Sequence, residues 1–437
     1  MLCRSPPGGN RNESFRVLMC LSSLNTEHME RLRDLYVEAL LAAEGTGPGA
    51  RASSPPTSGR ESGQDGRAPG ATPEGGLVGE TKGFRVAAIP GDGIGCEVVP
   101  AALEVLEEIG KRLKVRFHFL TCDWGSDFYF RHGRMMPPDA LDQLRGSDAI
   151  LLGAIGHPAI QDHITLNGLL LPIRRTFDQY VNVRPAILYP GVSSPLSGVS
   201  PGEVDLVVVR ENTEGEYAQA GGFIHHGNPS EVAVQVSVFT RQGVERVIRY
   251  AFELAVRRNG KRRVTSITKS NAQGYSMVLW DRVFDEVKSD YPQVETESLL
   301  VDAATVHLVR RPHTFDVVVA SNLFGDILSD LAAALTGSIG LAPSANLDPL
   351  RRFPSMFEPV HGSAPDIAGK GIANPLATFL SAAMMLDHLG LPEGSALLDS
   401  AIRGVLREGR VRTPDLGGHS TCREVTEEVM RAVRTGM

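Results

Sequence analysis

Short aliphatic runs recur along the chain, each followed by a polar or glycine-containing loop and then by apolar positions spaced for a helix. Residues 84–89 make the first β-rich run, and residues 98–109 then place Val98, Val99, Ala102, Leu103, Val105, Leu106 and Ile109 on one broad helical face. Residues 149–152, 206–209, 264–267 and 317–319 repeat the pattern. Aliphatic runs alternating with helices predict an α/β protein on a mostly parallel sheet. Residues 232–239 differ, because Val232, Val234, Val236 and Val238 alternate with Ala233, Gln235, Ser237 and Phe239. That period of two predicts a strand with two unlike faces, as in an antiparallel arm. No internal repeat of about 20 to 50 residues is present.

Residues 1–80 do not share this pattern. Residues 27–43 hold one helical stretch, with Met29, Leu32, Leu35, Tyr36, Ala39 and Leu40 on its apolar face. Residues 45–80 are dominated by Gly, Pro and Ser, lack an aromatic residue, and offer only Leu77 and Val78 as sizeable aliphatics. Such a segment cannot bury enough apolar surface to offset its ordering entropy, so 1–80 reads as a mostly disordered N-terminal extension. It is either a functional tail or the product of a start assigned upstream of the true one. The basic first dozen residues are not followed by an apolar segment with a small-residue cleavage site, which argues against a secretory signal. The folded body begins near Lys82.

With 437 residues, 42% of them hydrophobic and 22% charged, the chain can build two or three cores. Lys and Arg number 44 against 51 Asp and Glu, a formal net charge of −7. No global basic field exists to attract nucleic acid or an anionic membrane surface. Apolar runs all fall short of the roughly 20 residues a membrane helix needs. Cys3, Cys20, Cys96, Cys122 and Cys422 are far apart and form no CxxC pair. This argues against a zinc site or a disulfide framework and suits a reducing, cytoplasmic compartment.

Several segments carry candidate chemistry. Pro90-Gly91-Asp92-Gly93-Ile94-Gly95 follows a strand and opens a helix, where backbone N–H groups can hold an anion or the chain simply turns tightly. Cys96 stands where a Rossmann fingerprint needs its third glycine, and the Gly-Lys-Ser/Thr of a Walker loop is missing. Asp326 and Asp330 are i and i+4 on the helix after the run 317–320, and Asp302 closes the run 299–301. Three acids at strand ends suit oxygen ligation of Mg²⁺ or Mn²⁺; the alternative is that Asp326 caps its helix and Asp330 is a solvated surface residue. Arg174, Arg184 and Arg210 are either forks for a carboxylate or surface ion-pair residues. Lys269, after the run 264–268, is either a base whose pKa falls beside cations or a strand-end lysine.

Taken in order, these segments make residues 84–389 closely resemble the β-decarboxylating dehydrogenases, the family of isopropylmalate, isocitrate, tartrate and D-malate dehydrogenases. Five motifs carry the resemblance: Ile89 through Gly95, Val209-Arg210-Glu211-Asn212-Thr213-Glu214-Gly215, Asn322 through Asp330, Gly340-Leu341-Ala342-Pro343-Ser344-Ala345-Asn346, and Glu358-Pro359-Val360-His361-Gly362-Ser363-Ala364-Pro365-Asp366-Ile367. Residues 170–185, Phe239-Thr240-Arg241 and Lys269-Ser270-Asn271-Ala272 look most like the tartrate and D-malate branch.

The resemblance implies an isopropylmalate dehydrogenase-like two-domain α/β fold that is not a Rossmann fold. It puts the cofactor-binding domain at 81–179 with 337–437, and the metal-binding and dimerisation domain, with an intersubunit arm at 232–239, at 180–336. The implied reaction is NAD-dependent oxidative decarboxylation of a small 2-hydroxy dicarboxylate, D-malate or tartrate. Arg174, Arg184 and Arg210 would bind its carboxylates, Lys269 act as base and Tyr217 as acid, and Asp302, Asp326 and Asp330 hold Mg²⁺ or Mn²⁺. The resemblance implies that Lys269 and Asp302 are lent to the partner's active site, which makes a homodimer obligatory. Ile94, Glu358, His361, Gly362, Ala364, Asp366 and Asn374 match the NAD site, where Asp366 would repel a 2′-phosphate and Ile367 supplies no basic residue for one. Pro172, His157 and Asn167 depart from the family's substrate-reading patterns, and Pro172 suits a small or hydroxylated substituent. The rival readings are 3-isopropylmalate dehydrogenase and a catalytically silent regulatory paralogue.

Overall fold

The computed structural model describes residues 82–436. The helix expected at 27–43 and the disordered extension expected at 1–80 lie outside the described residues. The aliphatic runs form strands where the pattern puts them. In chain order the strands are β1 (Gly83–Gly91), β2 (Arg116–Thr121), β3 (Ala149–Ala154), β4 (Val181–Ile187), β5 (Asp205–Glu211), β6 (Gly215–Ile224), β7 (Val232–Val238), β8 (Arg263–Thr268), β9 (Glu295–Leu300), β10 (Val317–Ala320), β11 (Pro343–Leu347) and β12 (Ser355–Pro359). The helical face of 98–109 lies in the helix Gly95–Leu113, which buries Val98, Val99, Ala102, Val105, Leu106 and Ile109.

Ten of these strands make one sheet in the order β2-β1-β3-β12-β11-β4-β5-β10-β8-β9. Pairing is parallel within β2-β1-β3-β12 and within β5-β10-β8-β9. It is antiparallel from β12 to β11, β11 to β4 and β4 to β5, so the two parallel groups run in opposite directions. The mostly parallel sheet expected from the aliphatic runs is therefore reversed at its centre. Trp280, Phe252, Phe315, Phe357 and Phe379 are among the largest side chains buried against it.

β6 and β7 form a separate antiparallel ribbon, with Gly222 opposite Val234 and Ala220 opposite Val236. Its apolar residues face solvent in the single chain: Val232, Val234, Val236, Val238, Phe223 and Ile224 are all exposed. The glycine loop after β1 owes its sequence to close packing. Gly93 has φ +56°, and a Cβ there would stand 2.0 Å from the Ser363 carbonyl oxygen, which accepts from Ile94 N at 2.9 Å. Only glycine lets the two loops approach this closely.

Candidate active site

The reversal at the sheet centre brings polar residues of four strands to one place. Asn182 of β4 lies opposite Arg210 of β5 and Asn346 of β11. Arg184 follows two residues on from Asn182 and so points to the same face. Arg174 comes from the short helix Leu171–Thr176, which continues a π-helical stretch, Leu166–Leu170. All three arginines are buried, Arg210 to 2% exposure.

The arginines converge on the helix Asn322–Leu335. Arg184 Nη1 donates to Asp326 Oδ1 at 3.1 Å and to Ser329 Oγ at 2.8 Å, and lies 3.5 Å from Asp330 Oδ1. Arg210 pairs with Asp326 through Nη1, and its Nε and Nη2 donate to Asn322 Oδ1 at 3.0 and 2.7 Å. Tyr217 of β6 donates its hydroxyl to Asp326 Oδ2 at 2.7 Å, with the Arg210 guanidinium 5.0 Å from its ring centre. Glu216 holds the helix start, accepting from Ser321 Oγ at 2.8 Å and Leu323 N at 3.1 Å, as an acid suits a helix N-terminus.

Burial sets the protonation states, and neighbouring charges adjust them. Burial and the Arg184 charge bring Arg210 down to about 10, so it stays cationic at neutral pH. Burial pushes the Asp326 carboxyl up, but the Arg210 and Arg184 charges and the Tyr217 hydrogen bond outweigh it and hold the group below its ordinary value. Burial raises Asp330, with Asp326 adding to the rise and Arg184 opposing it. The Tyr217 phenol is raised by burial and by Asp326, and therefore keeps its proton.

Two donors in this cluster have no partner. Arg174 Nη2 is held by Glu358 Oε1 at 2.7 Å, yet Arg174 Nε is buried without a hydrogen bond among the described residues, as is Arg184 Nε. Buried guanidinium N–H groups left unmade cost free energy, which an incoming carboxylate would recover.

The three expected metal ligands do not meet within one chain. Asp302 lies in the first turn of the helix Val301–Arg310 rather than at a strand end, and is largely exposed. It accepts from Lys269 Nζ at 2.5 Å, and that hydrogen bond holds its carboxyl below the ordinary value. No hydrogen bond or ion pair among the described residues joins this pair to the Asp326 cluster, and no three His, Cys, Asp or Glu side chains there gather into a metal site. Asp326 and Asp330 are nonetheless two hard oxygen donors on successive turns, mutually repelling, which fits part of a divalent-cation site.

The expected cofactor residues lie mostly along the loop after β12. Glu358 is in β12, and His361 is buried with Nδ1 3.0 Å from the Gly362 carbonyl oxygen and Nε2 without a partner. Burial lowers its pKa, so the imidazole is neutral. Ala364 takes a left-handed φ of 43°, Gly362 and Asp366 are exposed, and Ile94 packs under Ala364, Ile367 and Ala373. Asn374 donates to Asp415 Oδ2 at 2.9 Å. A recess of about 540 Å³ separates Ile155, His157 and Gln161 from Gly362, Ser363 and Ala364. A second, about 410 Å³, is lined by His163, Asn167, Leu171, Glu216, Tyr217 and Gln235. The unpartnered His361 ring nitrogen and the open loop fit a nucleotide cofactor.

Sequence reasoning gave no role to several polar residues that its motifs contain. Asp92 ties three loops together, accepting from Ser126 N at 2.6 Å, Ser126 Oγ at 2.7 Å and Gly156 N at 2.8 Å. An acid between two glycines was the available signal. Asn322 joins Arg210 to the Glu214 carbonyl oxygen, to which it donates at 3.0 Å. Asn182, Asn212 and Asn346 form a buried amide cluster; all three stand in segments that carry the resemblance, but nothing in their spacing showed that they meet.

A decarboxylating dehydrogenase is the class to which this sheet and this arginine–carboxylate centre point, and the comparisons agree. The chain belongs to the isocitrate/isopropylmalate dehydrogenase family, which matches residues 85–429. It is 54% identical over 351 residues to a probable tartrate dehydrogenase/decarboxylase of Agrobacterium vitis, covering 80% of this chain and 96% of that protein. It is 50% identical over 359 residues to the D-malate dehydrogenase (decarboxylating) of Escherichia coli K12, covering 80% and 99%. The crystal structure of isocitrate dehydrogenase from Methylococcus capsulatus superposes with a TM-score of 0.74 at 39% identity, covering 80% of this chain and 99% of that one. The fold is isocitrate dehydrogenase-like, as the motifs implied.

Proposed function

We propose that this protein catalyses the NAD-dependent, divalent-metal-dependent oxidative decarboxylation of a small 2-hydroxy dicarboxylate, D-malate or tartrate. The observation that carries this reading is the pair of unpartnered buried nitrogens, Arg174 Nε and Arg184 Nε, beside a third arginine that Asp326 neutralises. The names and identities of the relatives support the same chemistry.

Arg174, Arg184 and Arg210 bind the substrate carboxylates and orient the one that leaves. Lys269 of the partner subunit takes the hydroxyl proton at C2, and NAD, when bound, would supply the acceptor for the C2 hydride. The carboxylate on C3 then leaves as carbon dioxide, its bonding electrons remain as an enolate, and Tyr217 protonates the C3 carbon. Its raised pKa keeps the proton in place until that step. Asp326 and Asp330, with Asp302 of the partner subunit, would hold Mg²⁺ or Mn²⁺, which when bound supplies Lewis-acid stabilisation of charge on the C2 oxygen. Asp366, Glu358, His361, Gly362, Ala364, Asn374 and Ile94 would hold NAD.

The sheet order supports two domains, because β1, β2, β3, β11 and β12 from 81–179 and 337–437 are contiguous, and so are β4, β5, β8, β9 and β10 from 180–336. The exposed valines of β7 support a homodimer built on the arm. Among the described residues no helix is long and apolar enough to cross a membrane. Cys96, Cys122 and Cys422 are free thiols, which supports a reducing, cytoplasmic setting.

The test is initial-rate NADH formation with Mn²⁺ on D-malate, the tartrates, 3-isopropylmalate and isocitrate. Turnover of D-malate or a tartrate is expected, with a higher kcat/KM for NAD⁺ than for NADP⁺. A preference for 3-isopropylmalate would transfer the protein to the rival reading, and no turnover of any would sink the enzyme reading.

A further inference from the structure

Asn346 is fully buried in β11, and its amide faces charged and polar groups in both directions. Its Oδ1 accepts from Asn182 Nδ2 and from Asn212 Nδ2, each at 3.0 Å. Its Nδ2 donates to Glu358 Oε1 at 2.8 Å and to the Met356 carbonyl oxygen at 3.3 Å. The two amide donors fix the orientation. A flipped Asn346 would set its NH₂ against both of them, so the nitrogen must face Glu358.

Glu358 Oε1 is thus shared between Asn346 and Arg174, whose Nη2 stands at 2.7 Å. Arg174 is gripped through that one nitrogen while its Nε stays buried and unpartnered. A carboxylate and a guanidinium left to themselves tend to close into a two-point fork. Here Asn346 donates to the same Oε1 that Arg174 does, so Glu358 is anchored from both sides through one oxygen. Arg174 makes a single contact, and its Nε is left for another acceptor. The cluster also flanks Arg210 in the sheet: Asn182 lies opposite it, and Asn212 is two residues beyond it.

We propose that Asn346 is a positioning residue that, by holding Glu358, keeps Arg174 in single-point contact and leaves its fork open to the substrate carboxylate. The proposal rests on the substrate-binding role given above to Arg174. Asn182 and Asn212 act one step further out, by fixing the amide that holds Glu358. The three side chains tie β4, β11 and the end of β5 to β12, across the part of the sheet where direction reverses.

The experiment compares wild type with Asn346→Ala and Asn346→Ser, the serine retaining an oxygen for the two amide donors should the alanine variant fold poorly. We expect KM for D-malate or tartrate to rise about tenfold or more, the scale of one charge-assisted hydrogen bond, with kcat within about threefold. In a Glu358→Ala background the same substitution should shift KM less than about twofold, because Asn346 acts through Glu358. Equal shifts in both backgrounds, or a KM unchanged in a folded variant, would overturn the proposal. A crystal structure of Asn346→Ser separates this from the functional reading. Glu358 turned onto Arg174 in a two-point contact supports positioning, and an unaltered single-point pair overturns it, whatever substrate the enzyme turns over.

Discussion

Gly325 packs its bare Cα against the side chain of Arg210, so that a Cβ there would stand 2.6 Å from Arg210 Cβ and 2.7 Å from its Cγ. The next residue on that helix is Asp326, which Arg210 holds. The absence of a side chain at 325 therefore sets how closely the carboxylate helix approaches the β5 arginine.

Gly325→Ala would stabilise an exposed helix by about 1 kcal/mol. Here the methyl group must push either the helix or Arg210 aside, and overpacking of this kind costs about 1–3 kcal/mol. We expect a lower Tm and a kcat/KM reduced about a hundredfold, because displacing catalytic groups by an ångström has that order of effect. Thermal melts and steady-state rates on one preparation check it; wild-type kinetics would show that the contact does not position Asp326.

Asp326 accepts from Arg184, Arg210 and Tyr217 at once. Asp326→Asn leaves the buried Arg210 guanidinium without its counter-charge, leaves Arg184 with Asp330 alone, and removes a proposed metal ligand. We expect Mn²⁺ to raise the Tm of the wild type, by mass action on the folded state, and to leave that of Asp326→Asn unmoved. Activity should fall by about 10²–10³ or more. An equal Mn²⁺ shift in both proteins would remove Asp326 from the metal site independently of any rate.

A pH dependence of stability follows from His388. Burial and the Arg351 charge bring its pKa down to about 4, with its ring 5.6 Å from that of Phe357. The unfolded imidazole titrates near 6.5, about the ordinary value. Between those values the unfolded chain binds a proton that the folded one does not, so this contribution is complete above about pH 6.5 and is lost progressively toward pH 4. His388→Gln should be less stable than wild type at pH 7.5, with the gap narrowing by pH 4.5. Parallel Tm curves would show that His388 is protonated equally in both states.

How much of this was legible in the chain depended on which residues a strand carries. β1, β3, β5, β8 and β10 announce themselves as aliphatic runs because both faces are buried in apolar surroundings. β4, β11 and β12 do not, since Asn182, Arg184, Pro185, Ser344, Asn346, Glu358 and Pro359 interrupt them. Those polar residues are there because one face of the central strands lines the candidate site, so the residues that hide the strands are the ones that make the chemistry. The five motifs recovered by resemblance what periodicity concealed. Neither route showed that Glu358 grips Arg174 or that three asparagines share one amide cluster, because such contacts join residues far apart in sequence and leave no local spacing.

Lys269 and Asp302 form their own ion pair, and no hydrogen bond or ion pair among the described residues joins them to the Asp326 cluster of the same chain. If each site borrows these two residues from the other subunit, inactive variants should complement. Lys269→Ala and Asp326→Asn would each give a nearly inactive homodimer. In a mixed dimer both defects fall in one site, because the Lys269 and the Asp326 that work together belong to different chains, and the other site is intact. Refolding the two variants together at equal concentration makes about half of the dimers mixed, each with one working site of two, so about a quarter of wild-type activity should return. Val234→Asp and Val236→Asp on the exposed ribbon should prevent dimer formation and abolish the recovery, since charges there would be buried between arms. Size-exclusion chromatography with light scattering follows the assembly, and NADH production follows the activity. Mixtures that stay inactive while mixed dimers are demonstrably present would mean that each chain completes its own site.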